Sequence, residues 1–304
     1  MDRGILGSAH MPMLVDTIAS KVDSTIKYVF KGAYGDVLET SFINKRDGKD
    51  IICVPSQTSC NLGCKFCFLT GLKLPVKNLR ADEIEDVIIW TMGQMPKTGQ
   101  KTLLISFMGC GEPLLNLREV IETCVNVRRQ YTHRYNVVRF AIASLVPNLR
   151  YVMELSTLVQ LHSLKLKFHL SLHSPFDDVR KFLMPGSSHA AAAVDAAESY
   201  AIQTENSAEI HYALIDGVND RPVDGEKLVE LLKGRNLSIK FLAYNERPDR
   251  KDLRRSKRVE ELRKLMTDNG IANEYYDPPG SDVGSSCGQF LMDYYKKLEE
   301  SLHG

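Results

Sequence analysis

Ile51-Ile52-Cys53-Val54-Pro55 leads into Cys60-Asn61-Leu62-Gly63-Cys64-Lys65-Phe66-Cys67. The first run is short and apolar, the length of a core strand. The second puts three cysteines at a C-x3-C-x2-C spacing in the loop that follows. Thiolates are the ligands of iron–sulfur clusters. Three of them hold three irons of a cubane and leave the fourth iron open to an outside ligand. Gly63 permits a tight bend between ligands, and Phe66 is placed to shield a cluster from water. The competing reading is a zinc staple of Cys53, Cys60, Cys64 and Cys67 in a non-catalytic RNA-binding protein. Zinc knuckles usually come as paired short spacings, which the gap from Cys53 to Cys60 does not provide.

Outward from this stretch, two patterns alternate. Strand-length apolar runs occur at Leu103–Phe107, Val137–Ile142, Leu166–Leu170, Ile210–Ile215 and Ile239–Leu242. Stretches with three- and four-residue apolar spacing lie among them, at Ala81–Trp90, Leu117–Val127, Asp224–Leu232 and Val259–Met266. Alternation of this kind predicts a parallel sheet with helices outside, as a barrel or a doubly wound sheet. In either case ligands sit at the C-terminal strand ends. Before the first core strand, residues 24–43 alternate around Gly32 and Gly35 and read as a β-hairpin. We therefore expect an α/β fold: a partial (β/α)6 TIM-like barrel with an N-terminal β-hairpin extension. Residues 1–50 would form the N-terminal segment and hairpin, and residues 51–304 the barrel with a C-terminal Cys-bearing loop and helix.

The 304 residues are 43% hydrophobic and 25% charged, ordinary for a globular chain and unlike disorder, collagen or a coiled coil. Lys plus Arg is 39 against 38 Asp plus Glu, a net charge of +1. Nucleic-acid affinity would then need a local basic patch rather than a global field. No apolar run is long enough to span a membrane, and no secretory signal is read at the N-terminus. Seven cysteines, three of them clustered, make a poor disulfide framework and a good metal site. The expected compartment is the reducing cytoplasm.

The cysteine spacing after a first βα strand resembles the radical S-adenosylmethionine (AdoMet) superfamily. Further segments narrow the match: Phe107-Met108-Gly109-Cys110-Gly111-Glu112-Pro113, Ser171-Leu172-His173-Ser174-Pro175, Leu183-Met184-Pro185, Asp216-Gly217-Val218-Asn219-Asp220 and the run from Gly280 through Cys287 to Phe290. From about Ile26 to Phe290 the chain resembles the radical methyltransferases that modify carbon 2 of an adenosine in 23S ribosomal RNA and some tRNAs. Their relative that methylates carbon 8 confers chloramphenicol and florfenicol resistance. The chain would be a compact member lacking most of the family's N-terminal domain.

The resemblance implies a [4Fe-4S] cluster on Cys60, Cys64 and Cys67, with AdoMet on its open iron. It implies that Cys287 takes a methyl group from one AdoMet. A radical formed from a second AdoMet then activates that methyl group for addition to adenine. Cys53 would resolve the covalent adduct as a disulfide, and Glu39 would accept the proton. AdoMet contacts carry over to Gly111 and Glu112, to Ser144 as the strand-end serine, to Ser171, Leu172 and His173, and to Asn245. Expected partners are an RNA, with a smaller RNA, nucleotide or other heteroaromatic ring as the alternative acceptor, and a flavodoxin-type electron donor. The expected state is a monomer.

Read without the resemblance, the same residues have plainer explanations. Cys110 and Cys124 are small core hydrophobes. Cys53 is a buried strand end, His173 a structural histidine, and Glu39 a solvated residue on an exposed hairpin. Cys287, in a loop rich in Gly and Ser, is less easily explained by packing. The basic stretches Arg247–Arg258 and Arg128, Arg129, His133, Arg134, Arg139 read equally as solvated helix faces or as phosphate contacts.

Overall fold

The computed structural model describes residues 12–32, 35–45, 48–95, 102–131, 135–247, 249–286 and 288–295. Four strands open the chain: β1 (Met13–Ala19), β2 (Thr25–Lys31), β3 (Val37–Lys45) and β4 (Lys49–Cys53). They pair antiparallel in order. From β4 onward strand and helix alternate. After α1 (Leu69–Leu72) come α2 (Ala81–Gln94), β5 (Thr102–Phe107), α3 (Leu117–Tyr131), β6 (Val137–Ser144), α4 (Leu149–Leu161) and β7 (Leu166–Ser171). The chain continues through α5 (Asp177–Leu183), α6 (Ala190–Thr204), β8 (Ala208–Leu214), α7 (Pro222–Leu232), β9 (Ser238–Ala243), α8 (Val259–Asp268) and β10 (Asn273–Tyr276).

The ten strands form one sheet in strict sequence order, and β4 through β10 are parallel. A doubly wound sheet reverses its strand order at a switch point. This one never does, so all crossovers wind the same way, as in a barrel. With β1 and β10 as its two edges, the barrel is open. The six strands β4–β9, each followed by helix, are the (β/α)6 unit, and β2–β3 is the expected hairpin.

Alternation along the strands assigns the two faces. Ile52, Ile105, Phe140, Phe168, Leu170, Ile210, Tyr212, Ile239 and Phe241 point to the helices and form one core with them. Each such buried side chain contributes on the order of 1.5–3 kcal/mol. The opposite face carries a polar row through the register Lys27–Ser41–Cys53–Ser106–Ala141–Lys167. Cys53 lies on that face, and the cysteine loop follows it at the C-terminal edge.

Two helices escape a periodicity reading for identifiable reasons. In α6 the buried face is Ala190, Ala193, Val194, Ala197 and Tyr200, mostly too small to stand out. In α4 the apolar residues lie on both faces, with Met153 and Leu161 exposed. Edge strands β1 and β10 are likewise partly exposed and lack a clean alternation. No helix among the described residues is long and apolar enough to cross a membrane.

Candidate active site

The cysteine loop is fixed from several directions. Cys67 N–H donates to Cys64 O (3.0 Å), Lys65 N–H to Leu183 O (2.9 Å) and Phe68 N–H to Gly288 O (2.8 Å). Thr70 donates its hydroxyl to Cys64 O (2.8 Å). Arg247 donates to Cys67 O, and Arg250 to Lys65 O at 2.8 Å. Cys60 and Cys67 pack in one apolar cluster with Cys110, Leu69 and Leu291. Cys64 packs in another with Leu62, Phe66, Leu183 and Met184. Phe66 meets the ring of His173 edge-on at 5.0 Å.

A tetrahedral zinc holds its sulfurs about 3.8 Å apart. No three thiols of Cys53, Cys60, Cys64 and Cys67 lie mutually within 4.8 Å. Cys53 instead ends β4, opposite Ser41 on one side and Ser106 on the other. The donor set of Cys60, Cys64 and Cys67 therefore suits a wider cluster better than a single zinc. Burial pushes the thiols of Cys53 and Cys60 up to about 11, so each stays protonated at neutral pH unless a cation or base takes the proton.

Two glycines dock the Gly109–Glu112 segment on the chain after β4. A Cβ at Gly109 would lie 2.7 Å from Val54 O, and one at Gly111 2.7 Å from Gln57 Cβ. Gly111 also has φ +101°. Held there, Glu112 donates its N–H to Gln57 Oε1 (2.8 Å) and accepts from Leu114 N–H (3.1 Å) and Leu145 N–H (3.3 Å). Its carboxylate also bonds the Ser144 hydroxyl. Burial pushes Glu112 up to about 7, although these bonds pull the other way. A buried carboxylate poised near neutrality at a strand end is suited to receive an ammonium group.

The neighbouring strand ends complete the rim. Leu172 is fully buried, and its N–H donates to His211 O (3.0 Å). His173 has φ +54°. Its Nδ1 accepts from Ala213 N–H (2.8 Å) and its carbonyl from Asn219 (2.7 Å). Burial, with the charge of Arg180 adding to it, pushes His173 down to about 3, which keeps the ring neutral. The structure thus brings Glu112 and Ser144 into contact and sets Ser171, Leu172 and His173 on the next strand end. Asn245 follows β9 on the same edge.

Glu39 overturns its plain reading. It is wholly buried, because the C-terminal segment covers that face of the hairpin. Leu291 N–H donates to Glu39 Oε2 (2.8 Å). Lys27, also fully buried, lies 3.5 Å from Glu39 Oε1 and 3.1 Å from Asp293. Ser41 is paired with Cys53, so Glu39 is a diagonal neighbour of Cys53 on one sheet face, about 7–8 Å away by antiparallel geometry. Burial raises the Glu39 carboxyl above its ordinary value, against the pull of Lys27. Cys287 itself lies outside the described residues. Its chain neighbour Gly288 accepts the N–H one residue past Cys67.

The basic stretch Arg247–Arg258 is loop, not a helix face. Arg247, Arg250, Arg254, Arg255 and Arg258 are each paired with a carboxylate, on Asp249, Asp252, Glu246, Asp277 and Glu261. Arg128 likewise donates to His162 O and Ser163 O, while His133 and Arg134 lie outside the described residues. Cys110 and Cys124 are core residues, as their type suggests.

Sequence reasoning also misses Gln57, Lys27, Arg180 and a buried group on β7 and β8, His169, Glu209 and His211. The last resembles a metal triad by proximity. However, Glu209 Oε2 already meets Lys240 at 2.9 Å and Lys167 at 3.1 Å, and two ammonium groups repel a cation. None of these residues carries a local pattern in the sequence.

No protein-family model matches the chain. A protein of Symbiobacterium thermophilum named "Probable dual-specificity RNA methyltransferase RlmN" is 31% identical over 271 residues, 87% of this chain and 70% of the relative. A protein of the same name from Clostridium tetani is 29% identical over 304 residues, 96% of this chain and 82% of the relative. Among solved structures, a radical SAM methyltransferase from Sphaerobacter thermophilus superposes with a TM-score of 0.76 at 25% identity, covering 92% of this chain and 81% of its own. SuiB of Streptococcus suis shares the fold alone, with a TM-score of 0.51 at 13% identity, over 72% of this chain and 47% of its own. A three-cysteine loop at the mouth of an open (β/α)6 barrel agrees with that kinship, and the chain belongs to the RlmN family of radical S-adenosylmethionine RNA methyltransferases.

Proposed function

We propose that the chain methylates a ring carbon of adenosine, carbon 2 or carbon 8, in rRNA or tRNA through an S-methylcysteine on Cys287. The observation that carries this reading is the docking of the C-terminal segment. Gly288 is bonded to the loop of Cys67, and Leu291 to Glu39. Gly288 directly follows Cys287 in the sequence. An amidine carbon of adenine is electrophilic and resists ordinary methylation by a sulfonium, so the chemistry needs a radical route.

Cys60, Cys64 and Cys67 would hold the [4Fe-4S] cluster, which when bound supplies the electron that cleaves AdoMet. The chain's own residues do the rest. Glu112, with Gly111 giving it room, receives the methionine ammonium; Ser144, Ser171, Leu172, His173 and Asn245 line the remainder of AdoMet. Cys287 carries the methyl group. Glu39, buried and raised, is receptive to the proton lost from the adenine adduct. Cys53, diagonal to Glu39, supplies the thiol that releases the adduct as a disulfide. In this reading residues 51–304 are the catalytic barrel and residues 1–50 its extension. The protein works as a cytoplasmic monomer with a flavodoxin-type donor.

The test is the mass of the Cys287 peptide from protein purified without oxygen. We expect it heavier by one methylene. Cys287→Ala should lose RNA methylation while still releasing 5′-deoxyadenosine from AdoMet. Methylation that survives in Cys287→Ala would end the methylcysteine reading. Nuclease digestion of the product RNA then separates carbon 2 from carbon 8.

A further inference from the structure

Arg180, on α5, is completely buried. Its guanidinium donates to four backbone carbonyls: Ser188 (2.9 Å), Ser171 (2.8 Å), Leu172 and Leu145 (2.8 Å). Leu145 follows Ser144 at the end of β6, and Ser171 and Leu172 end β7. One side chain thus ties together the two strand ends that the function assigns to AdoMet.

No carboxylate among the described residues forms an ion pair with Arg180. Asp177 acts on it only through space, its carboxylate being engaged by His189 and the Ala190 N–H. Burial lowers Arg180 only to about 10, so it remains a cation at neutral pH. A buried charge without a contacting counter-charge is costly, and four neutral carbonyls offset only part of that cost. The surroundings point to where the counter-charge comes from. Val179 and Leu183 of α5 pack with Cys64, Leu62 and Phe66 in one apolar cluster. The Lys65 N–H is bonded to Leu183 O, and the Leu62 side chain fills the space over Gly186, where a Cβ would lie 2.7 Å from it. A negative charge on Cys64 would act on Arg180 through space, across apolar contacts that screen it poorly.

We propose that Arg180 is a positioning residue with an electrostatic role: it holds the AdoMet-binding ends of β6 and β7, and its unpaired charge beside Cys64 favours the reduced cluster. This rests on the reading of Cys60, Cys64 and Cys67 as cluster ligands. Reduction adds one electron, from the low-potential donor or from a chemical reductant, and neither makes nor breaks a bond. The added negative charge is stabilised by a nearby cation, so removing the cation lowers the midpoint potential.

The experiment is a potentiometric titration of anaerobically reconstituted protein with dithionite, followed by EPR. Wild type is compared with Arg180→Lys, Arg180→Gln and Arg180→Met. Both charge-removing variants leave carbonyls without their donor, so two are used and each is read only where its melting and iron content show a folded, fully loaded protein. Both should hold at least tenfold less reduced cluster at a given potential, a fall of about 59 mV or more. Arg180→Lys, which keeps the charge but cannot reach four carbonyls, should stay near the wild-type potential while binding AdoMet more weakly. If Gln and Met variants with full clusters titrate like wild type, or if Lys shifts as far as they do, the electrostatic role is overturned. Wild-type protein that takes up no iron would instead defeat the cluster reading itself.

Discussion

Glu112→Gln is expected to spare the cofactor-free protein a pH-dependent loss of stability of about 3 kcal/mol, offset in part by the one backbone N–H it no longer accepts, and to weaken AdoMet binding by on the order of a hundredfold. That loss follows from burial, which raises the carboxyl from 4.5 to about 7 in the folded chain. Below the unfolded value the group is neutral in both states and costs nothing. As pH rises from about 4.5 to 7, the unfolded chain gives up the proton first and folding loses stability. Above 7 the loss is complete, at about 1.4 kcal/mol for each tenfold weakening of the acid. Glutamine removes the ionisation and keeps an oxygen for Leu114 or Leu145 N–H. AdoMet, however, would lose the anion proposed to receive its ammonium. Urea unfolding of both proteins across pH 4–9 checks the first half; anaerobic equilibrium dialysis of AdoMet checks the second. Parallel pH profiles would show that Glu112 is not strained by burial, and unchanged dialysis would remove it from the cofactor site.

Gly111→Ala should cost about 3 kcal/mol or more, combining left-handed backbone strain with a clash. At φ +101° an L residue is strained whatever the space around it. The added Cβ would also lie 2.7 Å from Gln57 Cβ and 2.8 Å from Gln57 N. Backbone at that point cannot yield without moving Gln57, whose side chain holds the Glu112 N–H. AdoMet cleavage should therefore fall together with stability. A melting temperature lower by roughly 5 °C is expected for a chain of this size. Gly93→Ala is the control. It lies in α2 with nothing within 4 Å of the new Cβ, and alanine there should stabilise by roughly 0.5–1 kcal/mol. Equal effects at the two positions would rule out the close approach at Gly111 as the cause.

Much of the site was legible in the sequence because its parts are local. Cys60, Cys64 and Cys67 are read by spacing, and Gly109–Glu112 by its resemblance to the radical methyltransferases. Helices α2, α3, α7 and α8 are read from their apolar stripes, with ends that run a few residues beyond them. The periodicity did not distinguish a barrel from a doubly wound sheet, since both repeat strand and helix. Sheet order settles that, and it depends on which strands pair rather than on what each strand is.

Chain chemistry by itself thus determined the kind of molecule: a parallel α/β fold bearing a three-cysteine loop, with a carboxylate and a histidine segment after its strands. Those features arise within a few residues of one another, where spacing and periodicity act. Tertiary structure alone decided which polar groups are buried and what they meet. Glu39 is covered by Leu291, about 250 residues later in the chain. Arg247 and Arg250 also reach beyond their own stretch to clamp the cysteine loop. Arg180 gathers four carbonyls from three segments. A buried polar group must find its partner wherever the fold brings one, so such pairings leave no trace in the local sequence.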